Sequence, residues 1–573
     1  MRIAITFFLS LVFSSLLQAS PIPFSPIVRS YSVSDYNAGI QNWSIAQDER
    51  GVMYFGNNNG LLEFDGSAWR LYELPTKGIV RAIYISEDGR IYVGSYEEFG
   101  YFVHTPYNTL EYHSLKDEVK DFTFHNDEIW NIVCVQGEIV FQSFGSLFFY
   151  NGNSVEGIRV KSLPNLFQVG NTFYSQRING GLCVFSGRKM EELIPRKAFG
   201  NSDVLAGLPY DDAVLMLTRN QGGFLYRDGR VEKWETECDD VFRKHTINRA
   251  VMTKDSCYVV GTISDGIYAL DKKGKLIWKV NTDNKLQNNT VLRLYCDDDN
   301  NIWTVLDEGI AYIHNNSLIY YYEPPFRKIG MVYDVLVREN EAYIASNQGL
   351  YWLKDGKTEL VPGLEEQAWF VDEWGKQIFC GHNKGTFLIS GLKSKLVSDV
   401  KGGMCMEKIE SKEESFLLEG TYALLNLYTE DTSGAYGFIR SLRGFSHMVR
   451  HIEVDHQGNI WAKHLRNGLY RFRIDPDMKQ VKDVRKYEGL GEVKGGSFTL
   501  FKINGRVVFS NGEYFYTYED MTDSIVPYET MNEQLMELKG IKTVSRANGD
   551  YYWFVGDRIV YLVTVSYTHL RAH

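Results

Sequence analysis

A unit of about 41 residues recurs along this chain from residue 41 onward, and that repetition restricts the fold more than any other feature. The first copy, Gln41 to Gly66, reads QNWSIAQDERGVMYFGNNNGLLEFDG. It contains an alternating strand, an Asp/Gly turn, an aromatic-rich strand, an Asn/Gly turn and a third strand. The plan returns at Val80–Phe102, Val291–Ile313 and Ile452–Phe472, with weaker copies between them. A glycine ahead of the third strand marks thirteen copies: Gly60, Gly100, Gly145, Gly181, Gly223, Gly266, Gly309, Gly349, Gly385, Gly420, Gly468, Gly512 and Gly556. Gly420 fits the pattern least well. Helical repeats need a 3.6-residue apolar period, whereas these windows alternate with period two. Short strands and tight turns repeating near 40 residues are the signature of β-propeller blades, which bury their faces against one another. A single ring holds four to eight blades, so thirteen imply two. The expected fold is therefore all-β: two tandem β-propellers of about seven blades each, the second incomplete. Seven units end near Tyr322, where Glu323-Pro324-Pro325 makes a natural junction, dividing the chain into domains at 21–323 and 324–565.

Composition agrees with that architecture. Fourteen per cent aromatic residues, beside 51 Gly and only 13 Pro, favour strands joined by tight turns. The net charge is −11 and no Lys/Arg-rich run is present, which argues against a nucleic-acid partner. Met1-Arg2, the apolar run Ile3–Leu17 and the small residues Ala19-Ser20 read as a secretory signal peptide over 1–20. No other apolar stretch approaches the length of a membrane span, so the expected location is the periplasm. The seven cysteines contain no C-x-x-C pair, which gives a structural zinc site no support. Most lie in apolar runs and read as small buried hydrophobes. The tail Ser566–His573 matches no phase of the repeat and resembles translated library-adapter sequence, so it is expected to be non-native or frayed.

The candidate chemistry is mostly architectural. Asp455-His456-Gln457-Gly458-Asn459-Ile460-Trp461 resembles the Asp-box of sialidase-like propellers, in which the Asp caps a hairpin and the Trp packs between sheets. Ala269 to Trp278 resembles the docking repeat of quinoprotein propellers but occurs once and is one residue short, so no quinone is expected. His447, His451, His456 and His464 crowd one unit whose pattern is strand and turn, and no metal is assigned to them. No nucleophile elbow, zincin, phosphate-loop or dinucleotide fingerprint is present. Neither catalytic residues nor cofactors are therefore nominated. Paired carboxylates for glycoside hydrolysis need only meet across blades, and no spacing singles out a pair.

Propeller ligands generally meet loops at one end of the ring, where the inner strands converge. The residues entering the expected inner strands are Asn42, Trp43, Arg81, Trp130, Arg249 and Asn289 in the first ring, with Tyr333 and Trp369 in the second. Aromatic faces cover the C–H faces of a sugar, and Arg and Asn donors fix its hydroxyls. For each residue the competing reading is packing within the propeller.

Asp35 to Trp43, then Gly60-Leu61-Leu62-Glu63-Phe64-Asp65-Gly66 and Trp69, resemble the two-component regulator propeller family. Val80-Arg81-Ala82-Ile83 followed by Gly94 to Phe102 extends the resemblance, which runs diffusely over 24–563. It implies a periplasmic sensor of two seven-bladed propellers, normally followed by a triple-tyrosine β-sandwich, a transmembrane helix and a kinase or helix-turn-helix output. Members often detect oligosaccharides. The expected partners are thus a small-molecule or oligosaccharide ligand, with membrane contact only through a segment beyond this chain, and a homodimer allowed. The alternatives are a secreted carbohydrate-active propeller enzyme (glycosidase or lyase) and a protein-binding scaffold.

Overall fold

The computed structural model describes residues 24–572 apart from short segments at 161–165, 187, 323–328, 339–340, 355–356, 412–413, 466–467, 491–492, 495–497, 536, 548–549, 557–558 and 566–569. The leader read at 1–20 and the junction Glu323-Pro324-Pro325 lie outside the described residues. Thirteen four-stranded antiparallel sheets account for nearly all the described strands. The chain divides into two compact units, with the break between Pro325 and Phe326. It is an all-β chain of two tandem propellers.

The first unit holds seven blades. Blade 1 is a meander of Asn42–Gln47, Met53–Asn57, Gly60–Phe64 and Trp69–Tyr72. Its second and third strands are buried at every position, while the fourth is half exposed. That gradient explains why the middle strands read as apolar runs: each is covered on both faces by neighbouring blades. Tyr54 and Leu61 of blade 1, for instance, share one core with Ile83, Ile91, Val93 and Phe102 of blade 2.

Blade 7 departs from the linear plan. It takes Val291–Cys296, Ile302–Leu306 and Ile310–Ile313 from the seventh repeat, but its fourth strand is Val28–Tyr31 from the start of the chain. Val28 pairs with Ile313 and Tyr31 with Ile310, and next to this ladder Ser25–Pro26 pairs with Tyr320–Tyr321. The two ends of the unit are thereby sewn together and the ring closes. Tyr31 is the wedge at the seam: its ring lies 5.4 Å from Phe64, 5.3 Å from Trp69 and 5.9 Å from Trp303.

Two glycine positions set blade geometry. Gly60 starts the third strand at φ 140°, and a Cβ there would meet the Tyr72 carbonyl oxygen at 2.3 Å, so the fourth strand can cross only a glycine. The other position ends the second strand. A Cβ on Gly56 would lie 2.5 Å from the Val80 carbonyl oxygen, and one on Gly261 would lie 2.4 Å from Val291 Cγ1. Gly420, which fitted the sequence marker poorly, belongs to this second class: it closes the strand Glu414–Gly420 and faces Val449 of the next blade. Gly556 likewise ends a second strand.

The second unit contains six four-stranded sheets, spanning 332–365, 368–398, 405–441, 451–487, 499–527 and 541–572, termed blades 8 to 13 here. Blade 13 draws its fourth strand from the tail, where Leu570–Ala572 pairs antiparallel with Val563–Val565.

The Asp-box is architectural. Asp455 accepts from the Gln457 and Asn459 amides at 3.0 and 2.9 Å with one oxygen. Its other oxygen accepts from the Trp461 indole N–H at 3.0 Å, and Trp461 is fully buried. Asp297 repeats the device with Asp299, Asn301 and Trp303. The four histidines of the eleventh unit do not converge. His447 stacks on Tyr470, His451 meets Glu453 and His456 meets Asp520, while the His464 ring lies tilted 6.4 Å from that of Tyr470. All seven cysteines are free thiols.

Candidate functional site

In every blade the chain enters along the inner strand, so the start of that strand and the turn between strands two and three share one end of the ring. Residues there are re-aimed by a recurring irregularity. The ladder slips by one residue at Trp43, Leu205, Asn248 and Leu292 in the first unit and at Tyr333, Trp369 and Lys542 in the second. A bulge of this kind leaves one residue unpaired and turns its side chain out of the sheet's alternation. Three of the seven bulged residues are the aromatic candidates Trp43, Tyr333 and Trp369.

In the first ring the structure gathers Trp43, Arg81 and Trp130. The Arg81 guanidinium lies 3.8 Å from the centre of the Trp43 ring and 4.9 Å from that of Trp130. Its Nε donates to Glu128 at 2.6 Å. The Trp43 indole N–H donates to Asn58 in the adjoining turn at 2.7 Å, and Phe144 stacks on Trp130 at 5.4 Å. One terminal nitrogen of Arg81 is buried without a hydrogen-bond partner. The cluster therefore holds a rigid cation with a spare donor, beside the exposed ring of Phe144. Phe144 was missed because it sits in a turn, not at a strand entry; its one sequence signal is an aromatic in a Ser/Gly turn.

The second ring builds a similar group. Tyr333 stacks on Trp369 at 4.6 Å, and Arg450 lies 5.4 Å from the Trp369 ring and 5.9 Å from that of Tyr333. The Trp369 indole N–H reaches Asn383 at 3.2 Å and Tyr422 at 3.0 Å, and Gln367 donates to the Tyr333 hydroxyl at 3.4 Å. Arg450 and Tyr422 were not nominated from the sequence. Arg450 occupies the place in blade 11 that Arg81 occupies in blade 2, immediately before the inner strand.

The remaining candidates lie elsewhere. Asn42 is fully buried and its amide is engaged with Tyr36 and Asn57, inside blade 1. Asn289 is tied to Thr282 in the turn before blade 7, which it braces through two hydrogen bonds. Arg249 enters blade 6 opposite Gly261.

A second electrostatic feature lies along the inner strands of the second ring. Burial pushes Asp372 up to about 6, with help from Asp334 and Glu373. Burial likewise raises Glu407 to about 7, with Glu453 and Asp372 adding like-charge repulsion. Among the described residues, no group of three or more His, Cys, Asp or Glu side chains is placed to hold a metal ion.

No family model matches the chain, and no curated protein matches it in sequence. The chain is similar in structure to several solved proteins. One, described as the extracellular domain of a hybrid two-component system of B. thetaiotaomicron, is 14% identical with a TM-score of 0.68, covering 96% of this chain and 78% of that one. Another, the extracellular domain of a one-component system of the same organism, is 16% identical over 96% of this chain and 78% of its own, with a TM-score of 0.42. Virginiamycin B lyase of Staphylococcus aureus aligns with 52% of this chain and 100% of its own at 12% identity and a TM-score of 0.41. The chain thus shares the tandem-propeller fold of the first of these structures. No helix among the described residues is long and apolar enough to cross a membrane.

Proposed function

We propose that this chain is the exported ligand-sensing region of a membrane-anchored signal-transduction regulator, that it binds an oligosaccharide at the arginine–aromatic clusters, and that it is not itself an enzyme. The observation carrying this reading is the duplicated cluster. Two rings with different sequences both place a guanidinium against a pair of aromatic rings at the strand-entry end, with amide side chains beside it. Such a group offers apolar surface to C–H faces and charged donors to hydroxyls, the combination a sugar needs. A sensor also requires its ligand to bind one state of the assembly better than another. Calorimetric titration with a panel of oligosaccharides tests the site. Saturable binding that Phe144→Ala or Trp369→Ala weakens at least tenfold is expected. Binding unaffected by both variants would overturn the assignment.

The raised carboxyls Asp372 and Glu407 favour a second reading, a carbohydrate-active enzyme, because a carboxyl protonated near neutrality can serve as a general acid. Incubation with polysaccharides, followed for new reducing ends and unsaturated products, separates the two. Turnover abolished by Glu407→Gln would displace the sensor reading.

A further inference from the structure

Two arginines sit at matching places on adjacent inner strands of the first ring. Arg249 follows the bulge of Ile247–Met252 and pairs with Gly261; Arg293 follows the bulge of Val291–Cys296 and pairs with Val305. Among the described residues, neither has an anionic partner. Among the described residues, no carboxylate at this end of the ring makes an ion pair with either arginine, and Asp307, in the turn of blade 7, accepts from Gln41. Asp203 holds Arg196 and Arg219, Asp265 holds Lys279, and Glu128 holds Arg81. Among the described residues, Arg249 bonds its neighbour's carbonyl alone, Asn248 O at 3.0 Å, and its Nε is buried with no partner. Burial together with repulsion from Arg293 and Arg219 pushes Arg249 down to about 10, and burial lowers Arg293 as well. A guanidinium removed from bulk water is ordinarily paired, because desolvating an uncompensated charge is costly. Here two uncompensated cations adjoin, in a chain whose net charge is −11.

We propose that Arg249 and Arg293 form an oxyanion site at the inner wall of the first ring, built for a carboxylate or sulfate group. An anion between them would take the free Nε–H of Arg249 and the guanidinium of Arg293 as charge-assisted donors and cancel their mutual repulsion. Arg81, also with a spare donor, enters the same end of this ring. Where the ligand is the saccharide of the proposed function, on which this extension rests, it is an acidic one, a uronate or a sulfated sugar.

The test uses the whole chain and two probes, inorganic sulfate and glucuronate, each at ionic strength held constant with chloride, with glucose as the neutral control. Thermal melting is followed against probe concentration. The expected result is a saturable rise in melting temperature with sulfate and with glucuronate, none with glucose, and loss of the rise in Arg249→Met/Arg293→Met. Without anion, that double variant should melt no lower than the parent, since it removes two unpaired, half-buried charges that repel one another. Arg249→Lys, which keeps the charge but loses the fork, should bind at least tenfold more weakly and serves if the double variant does not fold. A response to both anions that is non-saturable, absent, or equal in parent and variants would overturn the site. Sulfate needs no sugar subsite, so its binding is independent of the saccharide reading. Sulfate binding without glucuronate binding would retain the oxyanion site and exclude a uronate.

Discussion

Closure of the first ring depends on a strand that comes from the opposite end of its unit, and Tyr31 is the residue that most directly tests it. Its ring is 6% exposed and fills the seam between blades 7 and 1 against Phe64, Trp69 and Trp303. Truncation to alanine removes the aromatic contacts and leaves a cavity that rigid neighbouring sheets cannot fill. Core aromatic truncations cost about 3–5 kcal/mol, and each decade of opening equilibrium corresponds to about 1.4 kcal/mol. Tyr31→Ala should therefore raise the opening of the seam by about two to four orders of magnitude. Hydrogen exchange read by mass spectrometry over 302–313 and 53–64 measures this directly. The loss of protection should be strongest in those two segments and weak in blade 4, on the far side of the ring. A loss below tenfold, or one spread evenly over all seven blades, would refute Tyr31 as the closing wedge.

Other perturbations follow from named contacts. Asp455→Ala strips the buried Trp461 indole of its acceptor and the turn of its cap; at about 1–3 kcal/mol for an orphaned buried donor plus about 1 kcal/mol for the cap, the second unit should lose roughly 2–4 kcal/mol in urea unfolding. Gly261→Ala drives a Cβ into Val291 and should destabilise the first unit by about 1–3 kcal/mol, whereas Gly229→Ala, with open space but φ +80°, should cost less, about 1 kcal/mol. Glu407 has a folded pKa of about 7 against an unfolded value near 4.5, so the folded form binds the extra proton between those values and stability falls as pH rises through that window. Glu407→Gln should remove this loss. The variant should gain about 2–3 kcal/mol over the parent at pH 8, relative to the difference at pH 4, in urea midpoints at the two pH values.

The repeat was legible because each blade spends its strands locally: three strands and two glycine-bearing turns recur within about 41 residues, and alternation exposes them. What escaped the sequence lies in long-range pairing or in backbone detail. Val28–Tyr31 pairs with Ile310–Ile313, and no local pattern announces a partner so distant. The glycines closing the second strands were unread because their role depends on the next blade's chain passing over them. The site was half visible. Trp43, Arg81 and Trp130 stood out as strand entries and do meet, as do Tyr333 and Trp369. Arg450 and Phe144 did not; the latter belongs to a turn. Asn42 shows the reverse case: a polar residue at a strand entry, turned inward to hydrogen-bond its own blade.

The central claim, that a ligand is bound at the arginine–aromatic clusters, is most directly tested by the indole N–H resonances of Trp43 and Trp369, which donate to Asn58 and Asn383. Assigned by Trp→Phe substitution in the deuterated full chain, they are followed while an oligosaccharide panel is titrated. The account predicts that a binding saccharide shifts one or both of these signals saturably while the buried Trp461 indole stays unmoved. Saturable binding by calorimetry that leaves both signals in place would contradict it.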